Sequence, residues 1–593
     1  FIESVDEADF GQILVGSKST QTFDLSYSNI KDVLSPIPSS KNVVVTPKEF
    51  GACGTFGTQL ITVDWTPSKV SPENGFTIET ITFFDPNSGM EKVVKLKAIV
   101  QKGPQSIFWN DWDGEKPEII SLCNLMPFPE KTTADLPITW TIISGDEYAN
   151  FIDGTNILEL YQNGTITVQA SSEASENYLA YSEEFTFVLE VTPIFLGTVD
   201  SSWENVENWN FKRLPCEAEV AFIQAPAILS SHATVQGITF AEGEQKVSLH
   251  ITPTGGLTVN ANGISNAAKD GSSIVIDNTR EGAGFLRISP DYQGTMPYFT
   301  MRYQTKSTLD YGANKDATWQ YIGAPGADCK FTVDYITWLY HWSEAQGWIN
   351  KTGTLTLEPF AGYAITQYGK PTYELVAQPI NTNQTITLTK TETGSGMKGD
   401  NLFANSYSAP LDAKNFTPED FSDYGKGSDD IVKTFYIFNS GSWNDWNEQD
   451  NTLGSNNSDT PGQYRAIPAL AADYLNTKYD QTTISPMQGV YMIANTNGAT
   501  ITLNYDKHVW QAGNKGGTNM HEPMRAPGHN IYKPDNFRRL RIQVNSANSG
   551  ADRMYVIQHE NTTRNYDNGY DARNILAESQ VNIYTNEADG HME

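Results

Sequence analysis

The sequence predicts an all-β, multidomain protein. Runs of Thr, Val, Ile and Tyr alternate with polar residues and are punctuated by Gly, Asn, Asp and Pro, the pattern of many short strands. Between residues 318 and 511 nearly the same β phrase occurs twice. Aromatic residues make up 11% of the chain, with 28 Tyr and 13 Trp, while amphipathic helical registers are scarce. A chain of 593 residues exceeds what one hydrophobic core supports, so roughly four or five domains are expected.

Residues 1–101 read as a first β-sandwich. Phe23 and Leu25 alternate with Thr22, Asp24 and Ser26, Ile61, Val63 and Trp65 alternate with Thr62 and Asp64, and Val93 to Val100 forms a further strand. The opening Asp9-Phe10-Gly11-Gln12-Ile13-Leu14-Val15-Gly16-Ser17 resembles Ig-like domains of surface and ciliary proteins, in which F-G-x-V-x-V-G precedes a Thr-rich strand. Residues 102–194 read as a second Ig-like sandwich, with strands at Leu136 to Ile142, Asn163 to Ala170 and Phe185 to Val191, and with Trp140 as a packing residue. The phrase Gly164-Thr165-Ile166-Thr167-Val168-Gln169-Ala170 resembles bacterial Ig-like repeats that act as spacers in adhesins.

Residues 195–310 change character. Ser202-Trp203 to Trp209 leads into brief strands at Val220 to Ile223, Val235 to Phe240, Val247 to Ile251, Leu257 to Val259 and Ser273 to Ile276. Short rungs separated by Gly, Asn and Asp turns suggest a β-helix-like segment, in which each coil buries its face on the next, with a third ordinary sandwich as the alternative.

Residues 311–515 hold the duplication. The first copy runs from Trp319-Gln320-Tyr321-Ile322-Gly323-Ala324-Pro325 to Pro359-Phe360-Ala361-Gly362-Tyr363, and the second from Asn401-Leu402-Phe403-Ala404-Asn405 to Pro486-Met487-Gln488-Gly489-Val490-Tyr491. Each leaves through an alternating strand, Gln384 to Thr389 or Ala499 to Asn504. A duplicated β unit of this kind points to a scaffold. Strands at Leu540 to Val544 and Met554 to Ile557 place a C-terminal β-sandwich at 516–593.

Taken in order, the Trp-x-x-x-x-x-Trp entry, the rungs, the Met301-Arg302-Tyr303 strand and the paired phrases resemble large modular cell-surface proteins of Bacteroidetes that leave by type IX secretion. The usual family phrase is G-x-N-L-x-G-N-P-Y-P; this chain carries Ala404, Ser406 and Ser408 in place of the second Gly and both prolines. Asn565-Tyr566-Asp567-Asn568-Gly569-Tyr570-Asp571-Ala572-Arg573 resembles the family's F-D-x-x-Y-D-A-x-K. The resemblance implies an extracellular, bacterial cell-surface protein without catalysis, structural or adhesive, with copies of itself or other surface proteins as partners. Starting at Phe1, the chain reads as part of a longer precursor, and an incomplete sandwich would leave an edge for strand exchange.

Composition narrows the chemistry further. A formal charge of −30 disfavours nucleic acid and anionic membrane as partners, because both need clustered Lys and Arg. No run of 18 or more apolar residues is present. His508, His521 and His529 have no metalloprotease spacing, and no nucleophile elbow or phosphate loop occurs. Trp338, Trp342 and Trp348 in the first copy, and Trp443 and Trp446 in the second, are candidate platforms for the apolar faces of sugar rings, set against a role in filling the β core. Asp567 and Asp571, with Asn568, offer hard oxygen ligands for Ca2+, although not at EF-hand spacing. The four cysteines lie far apart, so free buried thiols are expected; Cys216–Cys329 is the one pairing considered. A non-catalytic portion of a larger secreted enzyme is a further alternative.

Overall fold

The computed structural model describes the chain outside residues 32, 52–55, 113, 244–246, 280–281, 306, 308–318, 370–371, 393–397, 439–463, 473–481, 511–537, 547–549, 560–561, 574, 576–582 and 586–593. It is all-β, with two compact units, Phe1–Val191 and Thr192–Glu593. No helix among the described residues is long and apolar enough to cross a membrane.

The first unit contains two cores. Strands Ile2–Ser4, Ser19–Ser28, Phe56–Trp65 and Val43–Thr46 form one antiparallel sheet. Strands Glu7–Leu14, Met90–Gln101, Thr77–Asp85 and Ser35–Pro38 form another, with Glu7–Leu14 parallel to its neighbour. The alternating residues of both sheets meet in one core, where Leu25, Ile61, Val63 and Trp65 face Phe83, Leu96 and Val100. This is the expected sandwich, because a period of two puts every second side chain on the same face.

The second core lies beneath the sheet of Thr139–Ser144, Gly164–Ser172, Tyr181–Glu190 and Ile119–Ser121. Trp140 packs on this core as expected, against Trp109, Phe128 and Phe185, but at its margin. Trp140 is only half-buried, its Nε1 donating to Pro129 O at 2.8 Å, while Trp109 sits at the centre against Trp112, Phe128, Trp140, Phe185 and Phe187. Trp109 lies outside any alternating strand, so no periodicity marks it.

The second unit begins with two parallel sheets whose strands interleave along the chain. One takes Ile194–Phe195, Val220–Ile223, His232–Phe240, Gly256–Ser265 and Phe285–Ile288. The other takes Ala227–Leu229, Leu249–Ile251, Ile274–Thr279 and Phe299–Gln304, closed by the antiparallel Thr372–Ala377. The registers place like on like: Leu229, Ile251, Ile276, Met301 and Leu375 follow one another from strand to strand, as do Val235, Val259 and Ile288. The Trp203 to Trp209 entry lies beside the first strands. The two rings meet edge-to-face at 4.8 Å, and the buried Asn208 amide bridges Val199 N, Asp200 and Ser202 O.

The two copies of the duplication have the same strand order. Gln320–Ile322, Tyr363–Gln367, Thr337–Ser343 and Gly347–Lys351 form one sheet; Asp400–Ala404, Gly489–Ile493, Thr434–Phe438 and Tyr464–Pro468 form its counterpart. The copies also exchange equivalent contacts. Gly323 N donates to Met487 O at 2.8 Å, and Ala404 N donates to Phe360 O at 3.2 Å. Phe360 and Met487 hold corresponding places in the Pro-x-x-Gly turns, and both are left-handed, at φ 62° and 66°. A Cβ on Gly362 would stand 2.3 Å from Leu402 Cγ, and one on Gly489 2.5 Å from Tyr321 Cβ, so the close approach requires glycine at both places. The exit strands then pair with each other, Gln384–Thr387 antiparallel to Thr500–Leu503, with Ile386 opposite Ile501. Equivalent residues facing each other across antiparallel strands mark a local two-fold relation.

Three replacements in the family-like phrase are compensated. Ala404, Ser406 and Ser408 are buried, and Asn405 holds the turn: its Nδ2 donates to the carbonyls of Ala409, Ile484 and Ser485, and its Oδ1 accepts from Tyr407 N. In the 516–593 stretch the described strands are one antiparallel hairpin, Arg538–Ser546 with Gly550–Gln558.

Cys123 and Cys216 are each held in a disulfide, against the expectation of free thiols. Cys329 is a free thiol in the core of the second unit, its pKa pushed up to about 12 by burial, so the Cys216–Cys329 pairing does not form. Cys53 lies outside the described residues.

Candidate functional site

The candidate tryptophans of the first copy lie on one hairpin, Thr337–Ser343 with Gly347–Lys351, and their environments differ. Trp338 packs edge-on against Tyr368 at 5.3 Å. Trp342 donates its Nε1 hydrogen to Asp400 O at 2.7 Å, which fastens this hairpin to the first strand of the other copy. Trp348 stands across the hairpin from Trp342, ring centroids 4.9 Å apart, and remains 40% exposed. Only Trp348 therefore keeps a substantial open surface among these three. Trp443 and Trp446 lie outside the described residues.

An aromatic chain, not anticipated from the sequence, continues from Trp348 across the junction of the copies. Trp348 leans on Tyr321 at 5.6 Å, Tyr321 stacks on Phe438 at 5.0 Å with rings 27° apart, and Tyr321 and Tyr464 share a hydroxyl hydrogen bond of 3.0 Å. Tyr464 then meets Tyr491 at 5.4 Å. Burial raises the phenol pKa of Tyr321, Tyr464 and Tyr491, so all three are neutral at physiological pH. Aromatic residues on alternating strands were visible in the sequence, but the contact between copies depends on long-range pairing.

Two carboxylates lie behind this surface. Asp400 is raised, first by burial and then by the charge of Glu344, against the lowering effect of the Tyr491 hydroxyl. Burial acts to raise Glu344 too, but the N–H groups of Thr391 and Gly399, each 2.9 Å from Oε1, outweigh it and hold Glu344 ionised.

The Asp567 and Asp571 carboxylates cap their own turn. Asp567 accepts from the backbone and hydroxyl of Thr563, and Asp571 Oδ2 accepts from Asp567 N at 2.7 Å. The turn docks on the second copy. Asn568 Oδ1 accepts from Lys433 N at 2.8 Å, Asn568 Nδ2 donates to Ile431 O, and the Leu470 N–H donates to Gly569 O.

A further polar cluster surrounds the short helix Tyr505–His508. The buried Asp420 accepts from Lys507 Nζ at 2.7 Å, from Thr417 N at 2.7 Å and from His508 Nε2 at 3.3 Å. His508 Nδ1 accepts from Asn504 N at 2.9 Å, and its ring stacks on Phe416 at 3.8 Å. This arrangement fixes the tautomer with hydrogen on Nε2 and gives the histidine a structural role.

No family model matches the chain. It is 24% identical over 435 residues to the minor fimbrium subunit Mfa5 of Porphyromonas gingivalis, an alignment covering 65% of this chain and 32% of that protein. The chain thus spans about a third of that relative's length. Among solved structures, a Porphyromonas gingivalis protein of unknown function overlaps at 8% identity and TM-score 0.14, covering 32% of this chain and 99% of that one. A tandem of titin Ig domains overlaps at 10% identity and TM-score 0.15, covering 32% and 95%. The sialic acid binding region of a Streptococcus sanguinis adhesin does so at 10% identity and TM-score 0.14, covering 32% and 48%. At these scores the overlaps carry no argument about function.

Proposed function

We propose that this chain is a non-catalytic structural or adhesive component of a bacterial surface assembly, exported by the type IX route and joined to copies of itself or to other surface subunits. The observation that carries the reading is the alignment of two-thirds of the chain with a fimbrium subunit. Polar groups that could have served chemistry, namely Asp420, His508, Asp567 and Asp571, are engaged in holding turns and strands together. Mass photometry and negative-stain microscopy over a range of protein and Ca2+ concentrations test the assembly. Oligomers or filaments are expected, and monomers under every condition would sink the proposal.

A second reading, glycan binding, is favoured by one observation, the exposed Trp348 beside Tyr321. On a glycan array Trp348→Ala should lose binding with the fold intact, whereas Trp342→Ala should lose stability. Equal and unaltered binding by wild type and Trp348→Ala excludes this surface.

A further inference from the structure

Lys433 and Asp423 stand at the two ends of one loop of the second copy. Asp423 follows the turn Pro418–Asp420, and Lys433 immediately precedes strand Thr434–Phe438. Both are buried, at 8% and 4% exposure, and Lys433 Nζ lies 2.8 Å from Asp423 Oδ2. The backbone fixes both ends. Ser422 N donates to Thr500 O, Val432 N to Ile493 O, Lys433 N to Asn568 Oδ1, and Lys433 O accepts from Ala469 N.

The pair is incomplete as an ion pair. Asp423 Oδ1 is buried and has no hydrogen-bond partner. A buried carboxylate normally has both oxygens satisfied, because an orphaned acceptor away from water forfeits its hydration. The ring of Phe421 lies 5.9 Å from Nζ and contributes an apolar wall. A second carboxylate approaches the amine as well: Asp429 Oδ1 is 3.8 Å from Nζ, and its side chain is 65% exposed, so it links the buried pair to solvent. An amine and a carboxyl held at contact distance, with a proton carrier beside them, form a condensation site in which proximity supplies much of the activation.

We propose that Lys433 and Asp423 condense without an external enzyme into an intramolecular isopeptide bond. Asp429 takes a proton from the Lys433 ammonium and delivers it to Asp423 Oδ2. The freed amine attacks Asp423 Cγ, the Nζ–Cγ bond forms, and the Cγ–Oδ2 bond breaks. Oδ2 leaves as water with two of the three ammonium hydrogens, and the third remains on the amide nitrogen. Oδ1 becomes the amide carbonyl oxygen. No oxidant or cofactor is consumed. The product removes two buried charges and ties the loop covalently to the strand it precedes.

Peptide mapping of the full-length folded protein tests this directly. Trypsin cuts after Lys426 but not after an acylated Lys433, so the linked product is residues 415–426 joined to residues 427–465, one species lighter than the sum of those two segments by one water. Its detection, with intact mass lowered by the same water and restored in Lys433→Arg and Asp423→Ala, supports the bond. Asp429→Asn should lower the linked fraction several-fold after a fixed time. Wild-type protein whose Asp423 and Lys433 peptides are fully separate and of unmodified mass overturns the proposal. Because that reading is taken on wild type, it does not depend on whether any variant folds. Linking by Asp429→Asn at the wild-type rate would overturn the role given to Asp429.

Discussion

At the scale of single residues, Asp420 shows how the second unit uses charge. Burial works to raise its pKa, but hydrogen bonds from His508, Lys507 and the Thr417 N–H prevail and hold the carboxyl well below the usual carboxylate range. Its folded pKa is therefore lower than its unfolded one. Such a group stabilises the protein above the unfolded value, about 4, and loses that contribution as pH falls toward the folded value. Thermal unfolding followed between pH 7 and pH 2.5 should show a steeper loss of stability below about pH 4 in wild type than in Asp420→Asn. Asp420→Ala should cost about 2–4 kcal/mol at pH 7, because the buried His508 and the partly covered Lys507 lose their acceptor. Equal pH profiles for wild type and Asp420→Asn would contradict the arrangement. No sequence rule singles out this cluster, since Asp420 and His508 are 88 residues apart. His508 is one of three histidines without metalloprotease spacing, yet its Nδ1 receives a backbone N–H and its ring lies flat on Phe416.

At the scale of elements, the paired Pro-x-x-Gly turns decide how the copies fit. Gly362→Ala and Gly489→Ala should each destabilise the second unit by about 1–3 kcal/mol, because the added methyl meets Leu402 or the body of Tyr321. Hydrogen exchange should show the loss in Thr192–Glu593 and leave the Phe1–Val191 unit unchanged. Met487 poses an opposite question. Replacing it with Gly relieves a left-handed backbone worth about 1 kcal/mol, but it empties a fully buried side-chain site worth about 2–5 kcal/mol. The second effect is larger, so Met487→Gly should lower stability in chemical denaturation. The Pro-x-x-Gly spacing was legible as a repeat, and so were the exit strands, because both are local patterns. That each turn completes the other copy was not legible: the bonds Gly323–Met487 and Ala404–Phe360 join residues far apart in the chain. The same limit hid Trp109, which fills the second core from a non-alternating segment. It also hid Trp342, whose indole bonds a carbonyl 58 residues away.

At the scale of the whole molecule, the parallel stack of the second unit was the more readable part. Short apolar rungs at Val220, Val235, Leu249, Leu257 and Ile274 each became a strand, because every rung carries its own alternation and its own turn residues. Their partners could not be read, since the register of parallel strands is set by neighbours some twenty or more residues away along the chain. The columns so formed make a sharp prediction. Ile276 lies between Ile251 and Met301 in a fully buried position, and Ile276→Ala should cost about 2–5 kcal/mol by denaturant titration. Trp348→Ala, at an exposed edge, should stay within about 1 kcal/mol of wild type. If both changes cost the same, the division between buried column and open aromatic face would be wrong.

The pairing of Ile386 with Ile501 has a consequence for how strong the junction between the copies must be. Like meeting like across an antiparallel edge is the contact pattern of a homodimer, here enclosed within one polypeptide. Two free subunits joined by so short an edge would need high bulk concentration to stay together. A tether raises the local concentration of each half around the other to roughly the millimolar range. A weak self-complementary edge is then sufficient, and residues away from it are released from matching their counterparts. That freedom is visible in the hairpins, where the place of Trp342 opposite Trp348 in one copy is taken by Phe438 opposite Tyr464 in the other, and that of Tyr340 opposite Asn350 by Tyr436 opposite Ala466.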